Sequence, residues 1–175
     1  MKKPALFLAA SLLFAACTSA DNEKQAISPQ YFDLQSYFTK EEARLKKLNP
    51  TVEKTVSVND SSEKKSLKIT DWKKELSIFT DADINKKAWL GQFELHKTPI
   101  LEQYSSDQQK IPVKELKVMR KDGKVSGIQI LLKNTNALYT SIDTLVYYPD
   151  RLYRVNKTQH IKLLAEKRYK ITVLF

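Results

Sequence analysis

The sequence predicts an α+β fold, with two N-terminal helices packed on one twisted, curled antiparallel meander sheet of about 7–9 strands. Three observations predict it. Apolar residues recur at helical spacing in two early stretches. From residue 88 onward they alternate with the period of two that a half-buried strand requires. Asp122-Gly123 separates two of those alternating runs, and Asp-Gly is a strong hairpin signal because both turn residues tolerate positive φ. Lys and Arg interrupt most of the strands, which argues against a barrel with an apolar, lipid-facing exterior.

The first helix is expected to open at Ser28-Pro29. Serine is a favoured N-cap, and proline suits the first turn, where its missing N–H would be unpaired anyway. Phe32, Leu34, Phe38, Leu45 and Leu48 share one face, and Asn49-Pro50 ends the helix because a residue before proline avoids helical backbone. The aromatic group Tyr31, Phe32, Tyr37 and Phe38 reads as core, with a membrane-surface contact as the alternative. Residues 51–70 read as a hairpin turning at Asn59 to Ser62. Thr70-Asp71 then starts a second helix running to about Asp81, with Trp72, Leu76 and Phe79 in one stripe.

Downstream, Trp89, Phe93 and Leu95 alternate as a strand, and Tyr104 to Lys110 reads as a polar connection. Val113 to Arg120 and Lys124 to Lys133 flank the Asp-Gly turn. Strands are then expected at 139–148, 151–155, 159–164 and 168–175, the last alternating through Tyr169, Ile171, Val173 and Phe175. The chain thus ends within a strand, which builds its terminus into the sheet. Residues 28–175 suit a single domain.

No familiar catalytic or metal-binding pattern is present. The chain has two histidines, His96 and His160, and one cysteine, Cys17. It has three glycines, Gly91, Gly123 and Gly127, too few and too scattered for a phosphate-cradling loop. There is no G-x-S-x-G elbow. Asp81-Ala82-Asp83-Ile84-Asn85 starts like a calcium loop, but the sixth and twelfth positions hold Lys86 and Gln92 where Gly and Glu are needed. Glu41-Glu42 are adjacent on a helix and point apart, so they cannot flank one bond. The sequence therefore argues against an enzyme and calls for no cofactor.

Charge is asymmetric. Residues 17–109 hold 14 basic and 15 acidic side chains, whereas residues 110–175 hold 14 basic and 5 acidic ones. A sheet face of that sign attracts anions, and the candidate anion-binding residues are Lys117, Arg120, Arg151, Arg154, Lys162 and Arg168. The partners that fit are an anionic lipid, an acidic glycan or an acidic envelope protein. A solvated outer face that protects strand edges is the structural alternative.

The N-terminus supplies an address. Met1-Lys2-Lys3-Pro4 is basic, Ala5 to Ala16 is apolar, and Ala15-Ala16-Cys17 follows Phe14. About a dozen apolar residues is too short to span a bilayer, but it fits a secretory signal. The stretch resembles a bacterial lipoprotein signal peptide with its lipobox. That resemblance implies cleavage before Cys17, acylation of Cys17 and a membrane anchor. Thr18 at the following position implies the outer membrane of a Gram-negative cell. An ordinary signal peptide with Cys17 as a bystander is the alternative. Residues 17–27 read as a flexible tether. Asp71-Trp72-Lys73-Lys74-Glu75-Leu76 and Asp83-Ile84-Asn85-Lys86 resemble small lipoproteins of the Bacteroidetes type, a resemblance that brings no activity with it. Asp143-Thr144-Leu145 resembles the short O-glycosylation pattern of that group.

The functional expectation is a lipid-anchored, non-enzymatic envelope module that binds through its sheet. An alternative is a carrier holding a lipid or other amphiphile between sheet and helices. Nucleic acid is not expected as a partner outside the cytoplasm. Replacing Cys17 by serine is expected to abolish palmitate labelling; a serine variant that still incorporates palmitate contradicts the anchor.

Overall fold

The computed structural model describes residues 30–175. The expected signal segment, Cys17 and the whole tether lie outside the described residues, as does the Ser28-Pro29 helix start. Within them, the first helix, α1 (Leu34–Leu48), begins later than expected. Asp33 caps it, its carboxylate accepting from the Ser36 N–H at 2.8 Å. The preceding residues are occupied elsewhere, since the Tyr31 N–H donates to Asn85 Oδ1 at 2.9 Å. Asn49, left-handed at φ 44°, closes α1 by donating its N–H to the Leu45 carbonyl, and Pro50 prevents continuation. The second helix, α2 (Trp72–Asp81), is capped by the Asp71 carboxylate, which accepts from the Lys74 N–H.

Nine strands follow the chain: β1 (Thr51–Val58), β2 (Ser61–Lys68), β3 (Glu94–Lys97), β4 (Leu101–Ser105), β5 (Val113–Lys121), β6 (Lys124–Thr135), β7 (Tyr139–Tyr148), β8 (Leu152–Ile161) and β9 (Lys167–Leu174). All join one antiparallel sheet in the order β2-β1-β9-β8-β7-β6-β5-β4-β3.

This corrects the expected architecture. Residues 30–175 are predominantly one nine-stranded antiparallel sheet with two helices, not an α+β fold of two N-terminal helices on a meander. The second helix is not N-terminal to the sheet: as the hairpin reading of 51–70 already placed it, α2 follows two strands, and it carries the chain from β2 at one edge towards β3 at the other. Only β3 to β9 form a meander, and the β1–β2 hairpin closes against β9. Pairing is the physical reason. Terminal β9 bonds β8 on one side and β1 on the other, so two hydrogen-bonding edges that would face water are satisfied.

Several local readings also change. Lys87–Trp89 form a single 3₁₀ turn and Gly91 adopts φ 74°, so the chain turns where an alternating strand was expected. Residues 152–161 form one continuous strand where two were expected. The Asp122-Gly123 turn forms as expected, with φ 52° and 75°.

Strand register separates two faces. One is covered by the helices and carries the row Ile128–Tyr147–Tyr153–Val173, all buried. The other is open. On the covered face, Phe38 of α1 stacks on Phe79 of α2 with ring centroids 4.7 Å apart, and Tyr147 meets both edge-on at 5.2 and 5.8 Å. Leu34, Leu45, Leu76 and Trp72 complete the helical contribution. The core cluster lies wholly within residues 31–173, so a chain from Thr18 onward carries the whole described fold.

Each helix is also fixed to the sheet by a tyrosine hydroxyl. Tyr147 of β7 donates to Glu41 of α1, whose carboxylate is forked by Arg44 at 3.0 and 2.8 Å. Tyr153 of β8 donates to Glu75 of α2, which Lys54 of β1 pairs at 2.5 Å. Burial and then the bonded glutamate push the ionisation of both tyrosines upward.

Tyr153→Phe is therefore expected to cost about 1.5–3 kcal/mol in urea unfolding, the range for a hydrogen bond to a charged group. Because the folded-state pKa of each tyrosine is raised, the stability they contribute is complete below the unfolded value of about 10 and falls as pH rises past it. Alkaline unfolding should start at higher pH in a Tyr147→Phe, Tyr153→Phe double variant, measured relative to its own stability at pH 7. An unchanged alkaline limb contradicts this.

Candidate anion-binding surface

Register places the six sequence candidates on different parts of the sheet. Lys117 and Arg154 share one row of the open face, Lys117–Gln129–Val146–Arg154, three strand spacings or about 14 Å apart. Lys117 is paired with Glu115 at 2.8 Å. Arg151 sits in the exposed β7–β8 turn with its guanidinium 5.6 Å from the Tyr148 ring centroid. Lys162 follows β8 in the β8–β9 turn and is exposed. Arg168 lies on the open face of β9, beside Glu166 at 3.4 Å.

Arg120 does not belong with them. It lies on the covered face, where its Nε donates to Glu102 Oε1 at 2.9 Å and its guanidinium stands 5.9 Å from the Phe32 ring centroid. Glu102 is buried and also receives Lys97 at 3.1 Å and the Tyr104 hydroxyl at 3.0 Å. Burial opposes ionisation of Glu102, but hydrogen bonds from Arg120, Lys97 and Tyr104 outweigh it and hold the carboxyl below its ordinary range. Burial, then Glu102, raises Tyr104 to about 12. Arg120 therefore neutralises an internal carboxylate.

The tightest basic group includes a residue outside the expected set. Lys170 of β9 pairs Asn156 of β8, one step diagonally from Arg154, and Arg168 lies two residues before it on the same face. Diagonal neighbours of this kind are about 7–8 Å apart. Arg154 donates from Nε to Thr172 Oγ1 at 3.3 Å. Asn156 and Thr158 lie between these cations on the same face and add donors to the patch. Across β6–β9, among the described residues, no carboxylate occupies the open face: Asp143 lies on the covered side, hydrogen-bonded by Ser141 and 3.4 Å from Lys157. Lys133 belongs to the same open surface, in the row Lys133–Ile142–Thr158–Arg168. Strict period-two counting along β8 and β9 would have grouped Arg154, Arg168 and Lys170; their mutual register was not visible without the strand pairing.

The other expected features resolve as follows. His96 and His160 are both exposed. Among the described residues no group of three His, Cys, Asp or Glu side chains is placed to hold a metal, and no helix is long and apolar enough to cross a membrane. Thr144 of the Asp143-Thr144-Leu145 motif lies mid-strand, paired with Leu131 and Asn156. Trp72 and Phe93 are buried and help fill the space between helices and sheet. Beside α2 an open groove of about 520 Å³ remains, with Leu67, Ile69, Ile78 and Ile171 among its apolar lining and Lys54, Lys68 and Lys74 together with Asp71 and Glu75 among its charged lining. Comparison with family models, curated proteins and solved structures finds no match to this chain.

Arg120→Gln is expected to destabilise the fold by about 1–3 kcal/mol through loss of a partner to buried Glu102, without altering affinity for a polyanion; a loss of affinity at unchanged stability contradicts the assignment. The acid dependence has a defined sign. Because the Glu102 pKa is depressed in the folded state, its stabilisation is present above its unfolded value of about 4.3 and is lost as pH falls through the lower folded value. Glu102→Gln should flatten that part of the acid limb in pH-dependent thermal melts.

Proposed function

We propose that the protein is a lipid-anchored, non-enzymatic module of the bacterial envelope that binds an anionic partner through the open face of its sheet. The observation that carries this reading is the acid-free open surface of β6–β9, with Arg154, Arg168, Lys170 and Lys133 set among hydroxyl and amide side chains. A merely solvated face mixes both signs, whereas one uniform sign raises the local concentration of anions. The lipobox resemblance at Cys17 supports the anchor and the envelope setting.

The groove beside α2 favours a second reading, in which the domain carries one anionic amphiphile. Its apolar wall would take an alkyl chain, and Lys68 and Lys74 would meet the head group. Native mass spectrometry of the purified protein separates the two: a co-purifying amphiphile supports the carrier, and a bare protein removes it.

The anion reading is tested with a charge-matched pair of triple variants. Arg154→Gln, Arg168→Gln and Lys170→Gln change the open face. Lys40→Gln, Lys46→Gln and Lys47→Gln change exposed positions of α1 by the same charge. Near an anionic surface each basic residue contributes about 1 kcal/mol, so the open-face variant should bind a sulfated polysaccharide on the order of a hundredfold more weakly, while the α1 variant changes far less. Equal losses in the two variants would reduce the effect to net charge and sink the reading.

A further inference from the structure

At one end of the sheet, the turns joining β6 to β7 and β8 to β9 lie side by side, and the Lys162 N–H donates to the Leu138 carbonyl at 3.0 Å. These adjoining tips display three leucines: Leu138 is 70% exposed, Leu163 103% and Leu164 59%. Single exposed apolar residues are ordinary, but three on neighbouring tips form a protrusion with no cover from the described fold.

The tips are held in shape. Asn136 Oδ1 accepts from the N–H groups of Leu138 at 2.8 Å and Tyr139 at 2.9 Å. The Leu164 N–H donates to the Ile161 carbonyl at 3.1 Å. Leu163 adopts φ 65°, a left-handed backbone that leucine rarely takes. A fully exposed leucine in left-handed backbone is locally strained, a condition that clusters at ligand clamps and switch regions.

The surroundings identify what would cover it. Lys162 and Lys167 flank the β8–β9 turn, and Lys133 and Arg168 occupy the open-face row just behind the tips, together with Ile142, which is 46% exposed. The acidic residues of the neighbouring turns are Glu166, beside Arg168 at 3.4 Å, Asp60, and Asp107, which lines one pocket with Lys133; the cations outnumber them. Apolar tips inside a basic collar match a bilayer interface, where leucine enters the acyl boundary and lysine reaches the lipid phosphates. Chain direction agrees. Gln30 accepts from the Gly91 N–H just before β3, and the strand pairings place the start of β3 at the same end of the sheet as these tips. A chain anchored upstream therefore enters the domain from the membrane side.

We infer that Leu138, Leu163 and Leu164 seat in the interface of an anionic bilayer, which makes anionic lipid the partner class of the adjoining basic face. This rests on the proposed anion-binding reading and deepens it. The test uses the unlipidated chain 18–175 on vesicles of phosphatidylcholine alone or mixed with phosphatidylglycerol, with the sulfated polysaccharide as a probe that has no bilayer. The variant combines Leu138→Ser, Leu163→Asn and Leu164→Ser, asparagine being chosen because it tolerates left-handed backbone. A thermal midpoint equal to that of the parent shows that it folds. The expected result is binding to the anionic vesicles, weakened by about tenfold or more in the leucine variant, with polysaccharide binding unchanged. Vesicle binding that is equal in parent and variant overturns the inference and leaves the anion reading standing. Equal loss on both probes also overturns it, because no bilayer-specific contribution remains. Absence of polysaccharide binding by the parent, in contrast, removes the anion reading itself.

Discussion

Burying tyrosine on a sheet creates a problem for its hydroxyl, and this fold solves it by pinning helices. Tyr147 and Tyr153 stand in one cross-strand row, deep under the helices. Their rings supply apolar area to the Phe38–Phe79 stack, while each hydroxyl must find an acceptor away from water. Glu41 and Glu75 provide the acceptors, and each half-buried carboxylate is in turn paired with a cation, Arg44 or Lys54. The two sites join α1 to β7, and α2 to β8 and β1. Glu102, Tyr104 and Arg120 repeat the combination on β4 and β5. Helix position is thereby set by directional bonds in addition to packing.

That arrangement determines what the other face can do. Both helices lie on one side, so the strands of β5–β9 expose their alternate residues over a broad surface. Closing β9 between β1 and β8 places the terminal strand inside the sheet, and with it Arg168 and Lys170 beside Arg154. A carboxylate on the open face would offset these cations; on β6–β9 the carboxylates are used on the covered face or in turns, and Glu115, on the open face of β5, is paired with Lys117. The same end of the sheet carries the leucine tips. An anchored domain with a basic face and apolar tips at one end has one orientation relative to a bilayer that satisfies all three features.

Much of this was legible in the sequence where one local rule governs. Asp71 as a cap, Trp72-Leu76-Phe79 as a buried stripe and Asp122-Gly123 as a turn all follow from nearest-neighbour chemistry. Strand β4 was missed because its buried face is Glu102 and Tyr104, and a buried glutamate has no apolar signal until Arg120 arrives from β5. The same partner explains why Arg120 was misread as an anion site. The placement of α2 between the sheet's two edges, and of β1 against β9, depends on pairings between residues more than a hundred positions apart, such as Val56 with Ile171, which no window along the chain contains. The leucine tips escaped notice because Leu163-Leu164 continues an apolar strand pattern and only the left-handed turn turns it outward.

The central claim is that this domain meets an anionic bilayer with its leucine tips and basic face while its helices stay clear. Amide hydrogen exchange of the intact protein, compared between detergent and phosphatidylglycerol-containing vesicles, tests it most directly. The account predicts slowed exchange at 136–139 and 162–166 on vesicles, with α1 and α2 unchanged. Slowed exchange confined to α1 and α2, with the tips exchanging as fast as in detergent, would contradict it.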